Sequence, residues 1–310
     1  MLLRITSPIR VDLELKRILL ACLEDANSQL KYDSIVPHKG IHETRKRFKE
    51  IRAILLLLGP DYRSEKVLFT EKARSLADLR DAKATLESCN KLEQYFIGRL
   101  SFNPFPDLHQ HLEVRLAQVE ASYPMLEGEL RQLREVLHRA QDRVKSWPIK
   151  DKGFDLLRKG LQESYRAGRN TYRECQSNMT GADYHGWRKH VKSHWYHISL
   201  LKNSWPYELN GRERALKSLA NTLGDDHDLL VLEQLVFAEP QQFGKPKQFK
   251  ELLSLIHHRR QELQGQALLM GARLYAEKPV AHITRLKAYW TAWQVQEQMK
   301  YTSDLRMKKL

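Results

Sequence analysis

The chain reads His42-Glu-Thr-Arg45-Lys46-Arg-Phe-Lys49-Glu-Ile-Arg52 in its first half and His185-Gly-Trp-Arg188-Lys189-His-Val-Lys192-Ser-His-Trp195 in its second. Histidine, Arg at +3, Lys at +4 and Lys at +7 recur 143 residues apart, and only +10 differs, Arg52 giving way to Trp195. On a helix of 3.6 residues per turn, positions 0, +3, +4, +7 and +10 fall within about 120° of arc. Each window therefore lays one stripe of cations along a helix. A second correspondence follows each stripe in the same order: Leu76-Ala-Asp-Leu-Arg80-Asp81 parallels Leu223-Gly-Asp-Asp-His227-Asp228, 147 residues on. Ordered recurrence of this kind is the mark of an internal duplication.

Outward from these windows the periodicity stays helical. Val11, Leu15, Ile18, Leu19, Cys22, Leu23, Ala26 and Leu30 keep the three-and-four spacing of a one-faced helix. Further helices are predicted over about 38–58, 70–97, 108–121, 126–146, 151–177, 183–203, 211–236, 247–276 and 280–299. Gly59-Pro60, Trp147-Pro148, Trp205-Pro206, Glu239-Pro240 and Lys278-Pro279 punctuate them, and Asp107 is the expected N-cap after the 101–107 breaker. No alternating strand pattern and no Asn-Gly or Asp-Gly hairpin is present. The predicted fold is all-α, with long antiparallel helices in two related bundles, 1–150 and 151–310.

Fifty-two Lys+Arg against 38 Asp+Glu give a formal charge of +14 over 310 residues. That excess favours a polyanionic partner. It is concentrated: residues 38–52 carry six Lys/Arg against two Glu, and 152–202 carry ten against four acids. If the two stripes face one another across a groove, they focus positive potential there. Arg166, Arg169 and Arg173 add a further row, with Tyr165 and Tyr172 placed to flank it and Gly168 marking either close helix approach or ligand access. Asp81 and Asp228 are expected to hold an Arg or His rotamer by an ion pair.

Three widely separated cysteines make neither a disulfide framework nor a C-x-x-C pair, and a reducing, cytoplasmic setting is the expectation. The longest apolar run, Ala53 to Leu58, is far short of the roughly 20 residues that span a bilayer, so no membrane role is expected.

The doubled His-x-x-Arg-x-x-x-Lys helix, the following Leu-x-x-x-[Arg/His]-Asp and the stretch Tyr165-Arg-x-Gly-Arg169 resemble the CHAD family, named for a histidine-bearing α-helical domain. The segment Ala267–Pro279 is similar to that family's C-terminal region, and the likeness runs over roughly 10–300. The resemblance implies two four-helix bundles related by a pseudo-twofold axis, with a basic central channel that binds inorganic polyphosphate. It implies His42, Arg45, Lys49, Arg52, His185, Arg188 and Lys192 as phosphate contacts, with Lys46, Lys189, Arg166, Arg169 and Arg173 behind them. The resemblance further implies a non-enzymatic targeting or scaffolding module without cofactor, associated with polyphosphate granules.

Three other readings compete. Nucleic-acid binding shares the charge but lacks a stacking platform or a helix-turn-helix signature. His227-Asp228 is the dipeptide of metal-dependent phosphohydrolases, without an evident downstream aspartate. His185, His190, His194 and His197 offer i,i+4 pairs for zinc, without thiolate or carboxylate support. The sequence leaves oligomeric state undetermined.

Overall fold

The computed structural model describes residues 3–31, 37–100, 103–122, 127–150, 152–177, 181–243 and 245–307. Among the described residues the chain forms eleven α-helices and no strand. These are α1 (Val11–Lys31), α2 (Pro37–Leu58), α3 (Arg63–Ser75), α4 (Ala77–Phe96), α5 (Pro106–Ala121), α6 (Glu127–Ser146), α7 (Asp155–Ser177), α8 (Gly181–Leu201), α9 (Pro206–Ala238), α10 (Pro246–Leu274) and α11 (Pro279–Met307). The apolar row read from the sequence of α1 is fully inside: Leu15, Ile18, Leu19, Cys22, Leu23, Ala26 and Leu30 are all buried.

Several boundaries differ from the sequence expectation, and two of them change how an element is read. The helix predicted over 70–97 is two helices, α3 and α4, parted at Leu76, whose φ of −101° and ψ of 18° leave the helical well. No Gly or Pro marks that break, so the residue pattern carries no signal for it. Asp107 is not an N-cap. Phe105 takes that place, its N–H donating to Asn103 Oδ1 at 2.9 Å, while Asp107 sits in the first turn of α5, where a carboxylate suits the helix dipole.

Among the described residues two hydrophobic cores result, and each draws on both sides of residue 150. The larger gathers α1, α2, α3, α6, α7 and α8 with the first half of α9, the C-terminal end of α10 and α11. The smaller joins α4 and α5 to the second half of α9 and most of α10. Where α7 crosses α2, Gly160 is obligatory: a Cβ there would lie 2.5 Å from Leu57 Cα. This close crossing sets the first half against the second.

Buried faces then decide where the cation stripes point. In α2, Ile41, Thr44, Phe48, Ile51 and Leu55 are buried, which turns the face one residue on (His42, Arg45, Lys49, Arg52) away from the core. In α8 the buried row is Tyr184, Trp187, Val191, His194 and Ile198, and the same one-residue offset turns out His185, Arg188 and Lys192.

Candidate functional site: a cleft between the duplicated helices

Both stripes open into one cleft of about 730 Å³, walled by α2, α3, α4, α8 and α9. From α2 come His42, Arg45, Lys49 and Arg52; from α8 come His185, Arg188, Lys189 and Lys192. Among the described residues, eight Lys/Arg side chains line it against two carboxylates, Asp81 and Asp228. Such a sign imbalance in a partly enclosed space concentrates positive potential.

Local structure fixes several of these groups. Arg45 Nη1 donates to the Ala73 carbonyl at 2.7 Å and lies 4.0 Å from Asp81, tying α2 to α3 and α4. The rotamer-holding role expected of Asp81 fits that geometry. Arg52 donates through Nε to the Phe48 carbonyl and through Nη1 to Thr70 Oγ1, both at 3.3 Å. Burial, and then Arg45 and Arg74, hold Arg52 below the usual arginine range, partly offset by Tyr196, as expected for a buried cation with other cations beside it.

The second half contributes a pair of rings. His185 and His227 lie with centroids 4.0 Å apart at 31°. Burial, and then the neighbouring Lys189 and Arg188, push His185 below the ordinary histidine value. Burial pushes His227 further, to about 3, helped by His185, Arg188, Lys189 and Lys192.

Four predicted residues lie outside the cleft lining. Lys46 pairs instead with Glu43 at 3.0 Å. Its repeat partner Lys189 does line the cleft, and the sequence holds the reason: Gly186 stands where Glu43 would offer that ion pair. Arg166 and Arg173 are exposed on α7, and Arg169 donates through Nε to the Tyr275 carbonyl at 3.0 Å. Tyr165 and Tyr172 do not flank a ligand row; both are buried, and Tyr165 stacks on His282 at 4.2 Å while its hydroxyl donates to the Leu274 and Glu277 carbonyls. Together with Arg212, which donates to Leu274 O at 2.7 Å, these groups clamp the α10–α11 joint. Gly168 serves the same packing, since a Cβ there would lie 2.6 Å from Tyr275 Oη.

The α8 histidines do not converge. His185 faces the cleft, His194 packs edge-on to Tyr165, and His197 Nε2 donates to the Ala53 carbonyl at 2.9 Å. Among the described residues no group of three or more His, Cys, Asp or Glu side chains is placed to hold a metal ion.

Sequence reasoning missed the contribution of α3. Lys66, Thr70 and Arg74 line the cleft at i, i+4 and i+8. A helix drawn from Thr70 onward cuts that row in two; starting it at Arg63 would have exposed it. Tyr196, the remaining polar wall of α8 beside Ser193, was also unassigned.

A sequence model of the CHAD domain matches residues 17–236, most of the chain and both cation stripes. The chain belongs to the CHAD domain family. The matched CHAD region ends inside α9, so the Ala267–Pro279 likeness lies beyond it. Among curated proteins no match was found.

Proposed function

We propose that this CHAD protein binds inorganic polyphosphate in the α2–α8 cleft and acts as a targeting or scaffolding module, without catalysis of its own. One observation carries the reading: two cation stripes, 143 residues apart in sequence, open into the same cleft. Polyphosphate is a flexible chain with about one negative charge per internal unit and no bases to read, so its receptor needs charge density and reach. Arginine supplies a planar fork that bridges two oxygens, and lysine a mobile point charge. The cleft offers both.

The helix neighbourhoods favour a pseudo-twofold relation between 1–150 and 151–310, with helices of both halves sharing each core. α1 packs on α2 and α6 as α7 packs on α8 and α11; α4 packs on α5 as α9 packs on α10. On this view the cleft is a basic channel along the pseudo-axis. Nucleic acid fits less well, because Tyr196 is the one Phe, Tyr or Trp side chain among the described residues of the lining, too little for base stacking. Among the described residues no helix is long and apolar enough to cross a membrane. A cytoplasmic site of action, at polyphosphate granules where they exist, suits this reading.

The test is competition. Labelled long-chain polyphosphate is bound, and duplex DNA is added at equal phosphate concentration. Retention of polyphosphate is the expected result; efficient displacement by DNA would transfer the cleft to nucleic acid.

A further inference from the structure

The rings of His185 and His227, 4.0 Å apart and tilted by 31°, can change charge in the physiological range, as the Lys and Arg of the stripes do not. Each ring's Nδ1 is buried and has no hydrogen-bond partner among the described residues, although both residues line the cleft. A neutral imidazole offers one N–H and one lone pair, and a lone pair turned toward a phosphate oxygen repels it. An imidazolium offers two donors and a charge.

The groups around the pair come from every wall. Arg188, Lys189 and Lys192 stand beside it on α8, and Asp228 on α9. His42, Arg45 and Lys49 from α2, Lys66 and Arg74 from α3, and Asp81 from α4 line the same cleft. Among the described residues of the lining cations outnumber carboxylates, so the cleft by itself opposes protonation of either ring. A bound polyanion reverses that sign. Rings only 4.0 Å apart resist carrying two charges together, and they titrate as a unit.

We propose that filling this cleft with polyphosphate draws about one proton from solvent onto the His185–His227 pair, so that binding tightens as pH falls. The proposal rests on the polyphosphate reading above. The proton leaves the buffer acid and forms a new N–H on an imidazole nitrogen; nothing is oxidised and no other bond changes. Burial and the surrounding cations hold both rings below the ordinary histidine value, His227 at about 3, so that the pair is neutral at physiological pH before a polyanion binds.

The measurement is isothermal titration calorimetry of the full chain with long-chain polyphosphate, repeated at fixed pH between 6.0 and 7.0 in buffers of different ionisation enthalpy. The dependence of apparent enthalpy on buffer gives the number of protons taken up. Between half and one proton per site is expected, with Kd falling severalfold, and at most about tenfold, for one unit of acidification. The double substitution His185→Gln with His227→Gln, its helicity checked by circular dichroism, should abolish most of the uptake while still binding. Tight binding with no buffer dependence overturns the proton proposal and leaves polyphosphate recognition standing. Uptake that persists in the double variant moves the proton elsewhere and overturns it equally. Absence of binding at every pH and at low salt defeats the polyphosphate reading itself, and this one with it.

Discussion

Reversing one lysine in each stripe is the sharpest test of convergence. Lys49 and Lys192 occupy the +7 position of the two repeats, are half-buried, and both line the cleft. Arg45 also donates through its guanidinium to the Ala73 carbonyl, so that its loss would mix binding with packing. The substitutions K49E and K192E change the lining from eight Lys/Arg against two carboxylates to six against four. A unit charge 4 Å from a phosphate contributes about 1 kcal/mol at the dielectric of water and about 4 kcal/mol near a protein surface. Reversal removes an attraction and adds a repulsion, which gives about 2 kcal/mol per site at the lower limit. The pair then costs about 4 kcal/mol, roughly a thousandfold in Kd at low salt. Salt dependence gives an independent readout. Eight contacts to a single-stranded polyanion predict a slope of log K against log salt of about −5 to −6, and six predict about −4. Anisotropy of labelled polyphosphate over a salt series measures both quantities. The control is K145E with K159E, which changes net charge equally through exposed side chains that pair with Asp142 and Glu163 rather than line the cleft. A folded K49E/K192E protein with affinity within about threefold of wild type and an unchanged slope would refute the convergence argument.

Three further outcomes follow from the same geometry. Reversing Arg166 and Arg173, exposed on α7 and outside the cleft lining, should alter polyphosphate affinity no more than the K145E/K159E control does; a loss matching K49E/K192E would restore them to the site. Gly160→Ala should lower stability in urea by about 1–3 kcal/mol or more, because its Cβ meets the α2 backbone, whereas Gly265→Ala, with open space around it, should add up to about 1 kcal/mol. The empty protein should lose thermal stability as pH falls from 6.5 to 5. Burial holds His194 well below the ordinary histidine value and His197 at about 4; it also holds His282 at about 4, against the pull of Glu277. Their neutral forms stabilise the fold fully above the unfolded pKa near 6.5, and that stabilisation drains away on acidification, by up to about 1.4 kcal/mol per pH unit for each ring. A melting temperature flat across that range would show the rings to be solvated.

The repeat and the helices were legible in the sequence for one physical reason. Hydrogen bonding between residues four apart fixes which side chains share a face, so the α1 core row and the stripes on α2 and α8 follow from spacing alone. Even the divergence of Lys46 from Lys189 was written locally, in Glu43 against Gly186. Where a face points is another matter. Arg166, Arg169 and Arg173 share a helix face as expected, yet α7 buries Tyr165, Gly168 and Tyr172 against Tyr275, and that packing leaves the arginines outside the cleft lining.

The unmarked break at Leu76 lets α3 bring Lys66 and Arg74 into a wall that no repeat announced. The meeting of His185 with His227, 42 residues apart, likewise exists only once α8 has packed on α9. Sequence thus determined most of the helices, their duplication and the charge each one carries. Tertiary structure decided which of those charges share a space, because the rotation of a helix about its own axis is set by the partners it buries, and those partners are distant in the chain.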